Sequence, residues 1–119
     1  MKEAGISLIP IPQLPIQWRE PWYPINDQAH QQGIQEELQR EIGPLHPLWN
    51  TNPVVFAKRC DCDDVGVYLA DGRFAIVHLV WHGHIDQFPD RYPATRLFDS
   101  LAAFQQAVDS DVIDWGSDE

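Results

Sequence analysis

The chain has 119 residues, 44% of them apolar and 22% charged, and carries a formal net charge of −10 at pH 7. A chain of that length forms one domain that buries roughly two-thirds of the surface its unfolded form exposes, and the composition is too apolar for disorder. The charge repels phosphates, which argues against nucleic acid and anionic membrane as partners, and the longest apolar run, Ile76 to Trp81 broken by His78, falls far short of the ~20 residues of a membrane span.

Residues 1–26 hold Pro10, Pro12, Pro15, Pro21 and Pro24. Each proline fixes its own φ and pushes its predecessor toward extended backbone, so an extended arm is expected here and not a helix. The arm also carries Ile6, Leu8, Ile9, Ile11, Leu14, Ile16, Trp18, Trp22 and Tyr23, which suits packing across its own domain or, alternatively, docking on a second subunit. It lacks the basic and apolar regions of a secretory signal, and a cytoplasmic protein is expected.

Asn26 or Asp27 caps a helix that runs to about Ile42, with Ile34, Leu38 and Ile42 on the buried face, Glu36, Glu37, Arg40 and Glu41 mostly outside it, and Gly43-Pro44 as its stop. Strands follow at Val54–Cys60, Val65–Ala70 and Arg73–Trp81. Asp71-Gly72 reads as a two-residue type I′ turn, a register that sets Leu69 opposite Phe74, Val67 opposite Ile76 and Val65 opposite His78. His78 is then a buried, neutral histidine on an apolar face, while Tyr68, Ala75, Val77, Leu79 and Trp81 form the other face. Helices are expected over one face and the proline arm over the other, covering Tyr68, Val77, Leu79 and Trp81. The stretch after Trp81 reads as irregular through Pro89 and Pro93, and Asp99 or Ser100 caps a short helix bearing Leu101, Phe104 and Val108 on one side. The expected fold is α+β: an antiparallel sheet of three or more strands with an N-terminal and a C-terminal helix. Its parts are an arm (1–26), one α+β domain (27–109) and an acidic tail (110–119).

Were the last strand to run on past Trp81, His78, His82, His84 and Asp86 would share one side, a set chemically able to hold zinc or iron. Gly83 is expected to end the strand first, and neither a metal nor another cofactor is expected. In the run from Cys60 to Asp64 the cysteines are too close for a relaxed disulfide, so reduced thiols are expected, with pKa values raised by the neighbouring aspartates. Asp63 or Asp64 would bind local backbone amides. No serine stands in a nucleophile elbow, and no glycine-rich phosphate loop is present.

HPLW at His46–Trp49, AKRCDCDDVGVYLADGRFAIVHLVW from Ala57 to Trp81, and YPATRLFDSLAAF from Tyr92 to Phe104 resemble, in this order, a group of small bacterial proteins without an assigned activity. That group shares His-Pro-Leu, Arg-x-Asp-x-Asp-Asp, Asp-Gly-Arg and Val-His-Leu-Thr-Trp. Here Val80 replaces the threonine, and the pattern does not demand His82 or His84. The resemblance leaves the arm outside, implies a bacterial source, and marks His46, Asp64, Arg73, His78 and Trp81 as the candidate functional surface. The resemblance carries no activity; the acidic charge, the acidic C-terminal fifth and the apolar arm lead to an expected small acidic protein, a binder more than an enzyme, that takes a basic protein partner in the manner of an inhibitor or immunity protein. The alternative is a metal-dependent or acid–base enzyme using His78, His82, His84 and nearby aspartates.

Overall fold

The computed structural model describes residues 14–116 of the chain. Asp27, in extended backbone, accepts a hydrogen bond from the Ala29 N–H through Oδ1 at 3.2 Å and so starts helix α1, Gln28–Glu41. Ile34, Leu38 and Ile42 are buried, as their spacing predicts. The helix stops where Ile42 turns extended, just before Gly43-Pro44.

Strands β1 (Trp22–Pro24), β2 (Val54–Arg59), β3 (Asp64–Tyr68), β4 (Phe74–His78) and β5 (Ala94–Phe98) form one sheet in chain order, each neighbouring pair antiparallel. The α+β class stands. Two of the strands lie where none was expected: β1 within the proline arm and β5 within the stretch read as irregular. Helix α2, Leu101–Gly116, starts when Ser100 Oγ accepts from the Ala103 N–H at 3.1 Å, and it runs into the segment read as an acidic tail. None of the helices among the described residues is long and apolar enough to cross a membrane.

The β3–β4 hairpin corrects the expected register by one residue. Gly72 N–H donates to Leu69 O, Leu69 N–H donates to Arg73 O, both at 2.9 Å, and Gly72 has φ 92°. This is a three-residue loop, a type I turn followed by a left-handed glycine, and not the two-residue type I′ turn. Tyr68 therefore faces Phe74, Val65 faces Val77, and Asp64 faces His78. The slip moves Val65 and Val67 to the face opposite that of Phe74 and Ile76; His78 keeps the side of Phe74 and Ile76 but, at the end of β4, is exposed and not buried as expected.

Each face of the sheet has its own cover. On one side Val65, Val67, Leu69, Ala75, Val77 and Leu79 pack beneath Ile34, Leu38 and Ile42. On the other, Trp22, Phe56, Ala57, Phe74 and Ile76 pack beneath Phe104, Ala107 and Val108 of α2, joined by Ile16 and, at the margin, Leu14, Trp18 and Tyr68. Of the described part of the arm, Leu14, Ile16, Trp18 and Trp22 pack over the aromatic face, while Tyr23 and Ile25 join the cluster of Val77 and Leu79 on the other face; residues 1–13 lie outside the described residues.

The aromatic face is set by a bulge. Val55 pairs with Val67 and Ala57 with Gly66, leaving Phe56 as the extra residue, and Phe56 and Ala57 both end up on the α2 side. Phe104, fully buried, meets the rings of Trp22, Phe56, Phe74 and Phe98 at centroid distances of 5.5–6.2 Å. Gly66 lies directly under it: a Cβ there would stand 2.9 Å from Phe104 Cζ.

At the other end of the bulge the helix acts as a missing strand. β1 pairs with β2 only over residues 57–59, so the outward backbone of Val55 has no strand beside it. Gln35 Oε1 accepts from the Val55 N–H at 2.8 Å, Gln31 Nε2 donates to Val55 O at 3.1 Å, and Gln35 Nε2 donates to Pro53 O at 2.7 Å. Two buried glutamines one helical turn apart thereby satisfy backbone groups that would otherwise be buried unpaired.

Candidate functional site

Beyond His78 the chain leaves the sheet, and the turn from Val80 to Gly83 is held from beneath by α1. Glu37 and Glu41 are 3% and 1% exposed, which corrects their expected place outside the buried face. Each stands three residues after a core position, Ile34 or Leu38, and so lies on the margin of the buried stripe. Glu41 Oε1 accepts from the Val80 N–H at 3.0 Å, Glu41 Oε2 from the Trp81 N–H at 2.7 Å, and Glu37 Oε2 from the Gly83 N–H at 2.9 Å.

The two carboxyls also hydrogen-bond to one another. The bond from Glu41 holds Glu37 below the usual carboxylate range, with help from the Gly83 N–H and from Arg40, whose Nη1 lies 3.4 Å from Glu37 Oε1. Burial, and then that same bond, push Glu41 above the usual range. The two shifts thus part the carboxyls to opposite sides of the ordinary glutamate value.

The clamped turn contains Trp81 at φ 65°, a left-handed conformation that bulky residues rarely adopt. Extended parity ends there, so His78, His82, His84 and Asp86 are not aligned on one side as a continued strand would align them. The indole of Trp81 faces outward and is 46% exposed. Val80, Ile85, Phe88 and Tyr92, from the same connection between β4 and β5, are exposed to a similar degree, and Leu45 on the segment after α1 is more exposed still. That segment and the connection are tied together: Ile85 packs on Gly43 so closely that a Cβ there would lie 2.9 Å from Ile85 Cδ1. His46, expected as part of the functional surface, is 3% exposed and serves as a second tie. Its Nδ1 accepts from the Leu48 N–H at 3.0 Å, so Nε2 carries the hydrogen and donates to Pro93 O at 2.8 Å. Burial holds its pKa below the ordinary histidine value.

The remaining expected residues are dispersed. Asp64 and His78 meet across the strands on the α2 face; Asp64 binds this imidazole and not the local amides expected for it. Arg73 lies at the opposite end of β4, clasped to Asp71 by Nε–H donation at 2.9 Å. His82 Nε2 lies 3.4 Å from Asp86 Oδ2, and the His82 and His84 rings stack with centroids 4.0 Å apart. Stacked rings aim their nitrogens side by side instead of at a common point, and His84 Nδ1 already lies 2.9 Å from Ile85 O. Among the described residues no three His, Cys, Asp or Glu side chains are placed to hold a metal ion together. Cys60 and Cys62 are free thiols, and burial first, then Asp64 and Asp61, raise the Cys62 pKa. That environment disfavours a thiolate nucleophile.

No protein-family model, curated protein or solved structure matches the chain.

Proposed function

We propose that this protein is a binding module whose contact surface is the connection between β4 and β5, centred on Trp81, and that its partner is a basic protein, as for an inhibitor or immunity protein. The observation that carries this reading is the placement of Trp81. The fold commits two buried carboxyls to hold a strained backbone whose effect is to turn a large aromatic ring into solvent. Strain of this kind gathers at functional positions, and half-exposed aromatic residues on a fixed backbone supply contact area at low entropic cost. Ile85, Phe88 and Tyr92 of the same connection are likewise large apolar side chains left exposed. The net charge of −10 favours a cationic partner through faster encounter.

Capture experiments from the source organism with wild-type protein and Trp81→Ala test this at low and high salt. One basic protein retained by the wild type, weakened by salt and lost with Trp81→Ala, is the expected result. Equal retention by both proteins would remove Trp81 from the interface.

A further inference from the structure

The two margins of the buried stripe of α1 do different things. Glu37 and Glu41 lie on one margin and hold the turn at Trp81; Gln35 and Gln39 lie on the other, about half a helical circumference away. Gln35 is engaged by the backbone of Pro53 and Val55, but Gln39 lines a pocket of about 230 Å³ between α1 and the segment that leads into β2. Ile42 and Leu48, both buried, form its floor, and Trp49, 46% exposed, and Pro53 its apolar walls. Asn50 and Asn52 complete the lining, so none of it is charged although the chain carries −10. The segment is fixed. Trp49 N–H donates to His46 O at 3.0 Å, Leu48 O accepts from Thr51 N–H at 3.1 Å and from the Thr51 hydroxyl at 2.6 Å, and Ala70 N–H donates to Thr51 O at 2.9 Å, which ties the segment to the β3–β4 hairpin.

Asn50 and Asn52 have φ 68° and 50°, left-handed backbone that glycine would take at less cost. Asparagine ordinarily tolerates this conformation by bonding nearby backbone, yet among the described residues the carboxamides of Asn50, Asn52 and Gln39 make no hydrogen bond to the protein. Three neutral groups, each able to donate and to accept, thus surround an apolar floor beside an indole. We propose that this pocket binds one neutral sugar ring bearing an acetamido group, free or at the end of a glycan. The volume admits a single ring, being below the roughly 300–1,000 Å³ of pockets for drug-sized ligands. A charged ligand would meet no counter-charge there. The apolar side of the ring lies on Trp49, the acetamido methyl on Ile42 and Leu48, and the amide and hydroxyl groups pair with the three carboxamides. A plain hexose would instead set a hydroxyl over Ile42 and Leu48, where nothing pairs it. The site is separate from the Trp81 surface and rests on nothing proposed for it.

Titration of the isotope-labelled full chain with N-acetylglucosamine tests this, followed by NMR at the Trp49 indole and the side-chain amides of Gln39, Asn50 and Asn52. Saturable shifts at those groups with a roughly millimolar dissociation constant, the strength a ligand so small reaches, are expected. Glucose, which lacks the acetamido group, should bind at least about tenfold more weakly. Asn50→Gly and Asn52→Gly suit the left-handed backbone and remove one carboxamide each, so each should weaken binding about fivefold or more, the scale of one hydrogen bond. Trp49→Ala should abolish the shifts, and Trp81→Ala should bind as the wild type does. The disaccharide of N-acetylglucosamine tells the two sources apart: tighter binding than the monosaccharide marks a glycan end, weaker binding a free sugar, and either supports the site. The proposal is overturned by no saturable shift with N-acetylglucosamine, by equal binding of glucose, by unchanged binding in both glycine variants, or by loss of binding in Trp81→Ala. Shifts at these groups with a neutral proline-rich peptide and none with the sugar would overturn it as well.

Discussion

Asp64 Oδ1 and His78 Nδ1 lie 2.7 Å apart across β3 and β4, with the His78 side chain 57% exposed. The pair marks the register of the hairpin more than it stabilises the fold. An exposed pair of this kind couples by less than about 1 kcal/mol, and a double-mutant cycle of Asp64→Asn and His78→Gln followed by chemical denaturation should give a value in that range. A loss of several kcal/mol on replacing His78 alone would return it to the core.

The same pair shows what was legible in the sequence and what was not. Apolar periodicity located α1, β2, β3 and β4, because a helix stripe at i, i+4 and runs of valine and isoleucine carry their own signal. Asp71-Gly72 announced a hairpin, yet two- and three-residue loops both use a glycine with positive φ, and the choice between them decides which β3 residues share a face with which of β4. The discriminating clue was chemical: only the observed register sets the imidazole of His78 against a carboxylate instead of Val65. β1 and β5 were obscured because one contains Pro24 and the other, with no buried residue to give an apolar run, follows Pro93. The clamp was missed because glutamates on a helix are ordinarily solvated; the spacing of Glu37 and Glu41 three residues after Ile34 and Leu38 was the available sign. The left-handed backbone of Trp81 has no local signature.

The tight approach of Gly66 to Phe104 predicts non-additive mutations. Phe104→Ala should cost about 3–5 kcal/mol, and Gly66→Ala roughly 1–3 kcal/mol through overpacking. Combined with Phe104→Leu, the added methyl of Gly66→Ala should cost less than it does alone, by an amount that equilibrium unfolding resolves. Strict additivity would separate the two sites.

Replacing Gln35 by leucine removes both its acceptor for Val55 N–H and its donor for Pro53 O while keeping bulk. The expected cost is about 2–4 kcal/mol, since each buried backbone group left unpaired costs about 1–3 kcal/mol. Amide exchange at Val55 should rise in step. A neutral effect would mean that water takes over from the glutamine.

His46 is held neutral by burial, whereas in the unfolded chain it titrates near a pKa of about 6.5. Below that pH the unfolded state takes up a proton that the folded state resists, so this contribution is full above about 6.5 and declines as pH falls through it, by at most about 2 kcal/mol at pH 5. In His46→Gln the slope of stability against pH between 5 and 7 should be reduced. An unchanged slope would show that His46 protonates freely in the fold.

Backbone strain at Trp81 gives an inverted order of substitutions. Trp81→Gly relieves the left-handed conformation, while Trp81→Val keeps an apolar side chain but forces a β-branched residue into it. Valine should be less stable than glycine by about 1–2 kcal/mol in thermal or chemical unfolding. The reverse order would mean that the conformation is not retained.

Photo-crosslinking tests the central claim, that the clamped Trp81 is presented for contact. A benzoylphenylalanine is placed at Trp81 or, as a control at the other end of β4, at Arg73, and each protein is irradiated in lysate of the source organism. A discrete adduct at position 81 alone, suppressed by excess unmodified protein, is predicted. An adduct at position 73 with none at 81 would contradict the account.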